Sequence, residues 1–151
     1  YGLRRALNLT PALFALVACI GIFHVAGVVG LYGMTFLGQE YDSYVHTMNC
    51  VILGLASYRY ASKLPVRRGE AVALAVLVTL GLGLVNELVE FVGSKIGGQG
   101  DGWFLMGAGD IGREDAYNNL MTDFLHDFLG TAAGISAALL WQAGRKRPAS
   151  G

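Results

Sequence analysis

Apolar residues fill four long runs of the chain, and the polar residues that interrupt them recur at helical spacing. The runs cover about residues 11–36, 41–61, 70–92 and 116–141. Each reaches the length of about 20 residues that a helix needs to cross a bilayer. The second and fourth runs have polar first halves, so hydropathy alone ranks them below the others. The breaks agree with this division. Residues 38–40 read as a short turn, and Pro65 disfavours a continuing helix in residues 62–69. Residues 93–115 hold eight glycines (93, 97, 98, 100, 102, 107, 109 and 112) and read as irregular backbone. Trp103 and Phe104 in that loop suit a membrane interface. The pattern predicts one all-α domain over residues 1–151, an integral membrane four-helix bundle with one long glycine-rich loop.

Composition supports a lipid environment. Charged residues make up 15% of the chain and hydrophobic residues 54%, against about 25% charged in ordinary soluble domains. The 22 glycines fit membrane helices, where small residues let backbones approach closely. Net charge is zero, which gives no pull toward nucleic acid. Cys19 and Cys50 sit in apolar runs without a zinc-type spacing and read as small buried residues. No cleavable signal peptide is expected in the residues from Tyr1 onward.

The distribution of charge sets a direction. Arg4 and Arg5, Lys63, Arg67 and Arg68, and Arg145, Lys146 and Arg147 all fall on one side of a four-span arrangement, and Arg59 joins them. Only Lys95 and Arg113 fall opposite, and of the eleven acids only Glu70 lies on the basic side. The positive-inside rule then places both termini in the cytoplasm and the glycine-rich loop of residues 93–115 outside. A multi-pass protein of the cell membrane is expected.

Charged residues within spans are costly, and each marks a candidate site. In the fourth run Asn119, Asp123 and Asp127 share one helical stripe with His126 beside it, and Gly130-x-x-x-Gly134 follows as a packing face. The third run carries Asn86, Glu87 and Glu90. The second carries Asp42, His46 and Asn49, with Asp42 also placed to cap the helix. The first carries His24, which reads more simply as a hydrogen-bonded core histidine than as a ligand. With the rise of a helix, Asp42, His46, Glu87 and Glu90 lie within roughly 8 Å of the outer ends of their spans, and Asp123 and Asp127 roughly 10–17 Å deep. A shared outer cavity with Asp127 at its floor follows.

Carboxylates suit magnesium, calcium and manganese, and imidazole extends the range to zinc and iron. His46, Glu87, Glu90, Asp123, Asp127, His126 and Asp42 are the candidate ligands of a divalent metal ion of unspecified identity. Asp123, Asp127 and Glu87 are the candidate catalytic groups, as metal ligands or proton carriers. A buried network that fixes helix packing is the simpler alternative. The zinc-protease, di-iron, P-loop, dinucleotide and serine-hydrolase signatures are absent.

The segment Tyr41-Asp42-Ser43-Tyr44-Val45-His46 with Gly54, the Glu87–Glu90 pair, Gly98-Gln99-Gly100-Asp101-Gly102-Trp103, and Asp123–Asp127 with Gly130 and Gly134 resemble motifs of VanZ-like and YjdF-like small bacterial membrane proteins. The resemblance spans about residues 41–134. It implies four or five spans with the acids on the extracytoplasmic side, and VanZ itself is linked to glycopeptide resistance at the cell envelope. The long insert at residues 104–115 and His126 beside Asp127 depart from that pattern. Three functions remain open: metal-dependent or acid–base chemistry on a lipid or cell-envelope substrate, an accessory subunit with protein partners in a larger membrane complex, and an ion or proton pathway.

Overall fold

The structure, a computed structural model, describes residues 10–98 and 116–145. Thr10 starts the first helix, α1 (Pro11–Val28), by accepting a hydrogen bond from the Leu13 amide at 3.2 Å. Pro11 fits here because the first helical N–H has no partner in any case.

The apolar run continues to Phe36, but the helix does not. Gly30 takes φ +138°, a backbone that side-chain-bearing residues rarely adopt. A 3₁₀ turn (Leu31–Gly33) and a two-residue antiparallel ribbon follow, β1 (Thr35–Phe36) paired with β2 (Gln39–Glu40). Leu37 and Gly38 both have positive φ, as a tight two-residue hairpin requires. The expected span of residues 11–36 is therefore shortened to α1. Apolarity there reports the surroundings, and glycine decides the backbone.

The next helix, α2 (Tyr41–Ala61), has the bounds read from the sequence. Its N-cap residue is Glu40, and Asp42 lies inside the first turn and is buried. The capping role considered for Asp42 is thus corrected. The third helix, α3 (Arg68–Gly97), overruns the expected 70–92 at both ends and stops where Gly98 adopts φ +112°. Gly93 and Gly97, expected in the loop, are helical. The fourth, α4 (Ala116–Arg145), likewise extends past residue 141. The rest of the glycine-rich loop, with Trp103 and Phe104, and the terminal basic residues Arg4, Arg5, Lys146 and Arg147 lie outside the described residues, as does Arg113.

Among the described helices, α1, α3 and α4 are long and apolar enough to cross a membrane. Leu77, Leu84, Leu88 and Phe91 of α3 and Leu140 and Trp141 of α4 are more than half exposed, as lipid-facing side chains are. The more polar α2 packs against all three other helices. Its tightest partner is α4. There Gly130 and Gly134 lie so close to the Thr47 and Val51 carbonyls that a Cβ on either would collide with backbone, and a Cβ on Gly54 would lie 2.9 Å from the Thr131 carbonyl. The predicted glycine face is this seam. Away from the acids it continues into an apolar core in which Tyr58 and Ile135 pack among the small Ala61, Ala71, Ala75 and Ala138.

Candidate functional site

His46 stands at the centre of the polar half of the bundle. It is buried, one helical turn beyond Asp42 on the same face of α2. Its Nδ1 lies 3.0 Å from Asp127 Oδ1 on α4. A carboxylate oxygen accepts, so Nδ1 carries the proton and donates. In the neutral ring this leaves a lone pair on Nε2.

That second nitrogen faces two more carboxylates. Asp42 Oδ2 and Glu87 Oε1, from α2 and α3, each lie 3.5 Å from Nε2. Both oxygens are buried and accept no hydrogen bond among the described residues. The distance is too long for a good hydrogen bond. Asp123 of α4 adds an oxygen to the Asp42–His46 group, and Glu90 adds one to the His46–Glu87 group. In each trio the donor atoms lie within 4.8 Å of one another. Three helices thus aim ligand atoms of one kind, all acceptors, at one small space.

Supporting residues hold these groups from outside. The Asn119 side-chain amide donates to Asp123 at 2.8 Å, and Asn86 donates to Glu90 at 2.7 Å. Each pair is separated by four residues, one helical turn. Asp127 is 1% exposed. It also accepts from the Cys50 thiol at 3.1 Å, and the Thr131 hydroxyl donates to its backbone carbonyl at 2.7 Å. Gly83 of α3 lets the Asp127 carboxylate approach, since a Cβ there would overlap Oδ2.

The sequence reading grouped Asp127 and His126 with the metal ligands. The geometry sets Asp127 behind the imidazole, on Nδ1, and outside both trios. His126 is half-buried and bonds through Nδ1 to the Thr122 carbonyl of its own helix at 2.9 Å. It too is outside both trios. His24 bonds the Tyr32 hydroxyl at 2.8 Å, and the Tyr32 ring packs on Gly27 and edge-on to Tyr41. Burial, and next the charge of Asp42, push the Tyr32 hydroxyl above its ordinary range, so it stays protonated. His24 therefore fastens α1 to the turn that follows it.

Cys50 and Gly83 were missed as parts of the site. Cys50 stands four residues beyond His46, so the ladder 42–46–50 on one helical face was available as a signal. Both cysteines are free thiols; Cys50 is buried as expected, whereas Cys19 is only half-buried.

No curated protein and no solved structure matches the chain. A family model does match, and it covers residues 2–146. Its description agrees with three apolar spanning helices around a polar fourth. The chain is a multi-pass membrane protein and belongs to the family of predicted membrane proteins DUF2238.

Proposed function

We propose that this protein binds a divalent metal ion in the outer half of a four-span bundle and uses it on a lipid or other cell-envelope substrate. The observation that carries the reading is the convergence on His46 Nε2 of Asp42 Oδ2 and Glu87 Oε1, buried oxygens that accept no hydrogen bond among the described residues. Two donors on one tetrahedral ion, each bonded at about 2.0–2.1 Å, stand ~3.3 Å apart. The 3.5 Å separations fit that spacing better than they fit hydrogen bonds. A cation between these acceptors would remove the repulsion that otherwise destabilises them.

In this reading His46 is a ligand in either case, with Asp42 and Asp123 on one side or Glu87 and Glu90 on the other. One imidazole nitrogen with carboxylates suits zinc, manganese or iron. Asp127 orients the imidazole through Nδ1, an arrangement found behind many metal-bound histidines. The charge pattern supports the topology: all the basic clusters fall on one side of four spans, which puts both termini in the cytoplasm and the acids toward the outside. The resemblance of its short motifs to those of VanZ-like and YjdF-like proteins favours an envelope substrate.

Metal analysis of the detergent-purified protein tests this. Wild type is expected to carry near-stoichiometric divalent metal, and His46→Gln none. A folded wild type that stays metal-free after incubation with zinc, manganese and iron(II) would overturn the reading. The carboxylates would then belong to a protonated histidine network, and co-purifying proteins would point to the subunit role instead.

A further inference from the structure

At the opposite end of α2 the structure holds a cavity, separate from the carboxylates and independent of the metal reading. It is a groove of about 360 Å³ between α1, α2 and α4. Its inner wall is apolar, made by Leu13 and Leu16 of α1, Leu55 of α2 and Ala138 of α4. Its mouth is polar and basic: Thr10, Arg59, Ser62, Lys63 and Gln142. Trp141, 61% exposed, stands beside the mouth, a position typical of membrane-interface tryptophans.

The order of these residues matters. Thr10 begins α1 while Ser62 and Lys63 follow the end of α2, so the mouth is level with the helix ends. Leu55 and Leu16 lie one to two turns deeper. The groove therefore runs from a cationic rim at the membrane surface into the hydrocarbon, alongside helices whose outer faces are apolar. We infer that the groove binds an anionic glycerophospholipid, its phosphate at Arg59 and Lys63 and one acyl chain along Leu13, Leu16 and Leu55. Charge complementarity selects the headgroup, because juxtamembrane Lys and Arg attract anionic lipid. The apolar wall selects a molecule with a chain, which a free phosphate lacks.

Native mass spectrometry of the whole chain in detergent, titrated with phosphatidylglycerol or phosphatidylcholine, tests the assignment. Wild type is expected to retain one phosphatidylglycerol per chain and to prefer it over phosphatidylcholine. The double variant Arg59→Gln, Lys63→Gln should weaken phosphatidylglycerol binding by about 30-fold, two surface charges being removed. Ala137→Trp, which fills the groove from α4 and keeps both charges, should abolish the one-to-one complex. Equal retention of the two lipids, or Ala137→Trp binding like wild type, would overturn the proposal. Both variants are compared with wild type in thermal midpoint, so that a loss from unfolding is recognised by a lowered midpoint.

Discussion

Along α2 the turn holding His46 and the turn holding Arg59 lie about 20 Å apart, and they carry opposite charge. At the first, Asp42, His46, Glu87, Asp123 and Asp127 are all buried. At the second, Arg59 is half-buried, Lys63 is exposed and both border an open groove. The difference is one of side-chain length. Arginine and lysine bury their apolar stems and carry the charge out to the surface. Aspartate and histidine are too short to do so, and within a bundle they must find partners inside. One end of the helix is therefore committed to an internal partner. The other sets its cations on the rim of a groove.

The largest expected effect strikes the inward end. His46→Gln should reduce bound divalent metal to background, measured by elemental analysis, because it removes the nitrogen shared by both donor trios. Retention of metal at the wild-type level would mean that the carboxylates alone form the site. Gly134→Leu should lower stability by about 3 kcal/mol, read from thermal unfolding in detergent, because α2 and α4 cannot separate without breaking the seam. Metal capture should weaken with it, since the donors come from both sides of that seam. An unchanged midpoint would show that the ends do not depend on the glycine contact.

Asp127→Asn is a finer probe. It keeps the shape and removes the charge behind His46, so metal affinity should fall by about 10–100-fold while some metal remains. Complete loss, equal to that of His46→Gln, would make Asp127 a ligand. The smallest effect belongs to Tyr32→Phe, which deletes the hydroxyl on His24 and should cost about 1 kcal/mol with metal content unchanged. A change in metal content would tie α1 to the acidic end.

Much of this contrast was legible in the sequence because it rests on periodicity. The bounds of α2, the stripe of Asp123 and Asp127 and the glycine face of α4 all follow from three- and four-residue spacing. Periodicity fixes the face of a helix but not what meets it. Asp123 and Asp127 share a stripe, yet one turn separates a group in front of the imidazole from one behind it. His126 lies close to that stripe and still bonds its own helix. The end of α1 was hidden for another reason. Hydropathy continues through Tyr32 and Phe36, and the helix stops at a single glycine whose φ no composition reveals.

The seam between α2 and α4 also bears on how the protein reaches the membrane. A chain made from its N-terminus presents α2, with an aspartate and a histidine in its first two turns, while α4 is still unmade. Lipid offers those groups no partner, and the glycines that later close over Thr47 and Val51 are not yet present. The polar turns of α2 are therefore expected to gain their partners only when α4 arrives, so the least apolar helix should be the last to settle. Assembly of this bundle is then expected to be sequential, with the second helix waiting on the fourth.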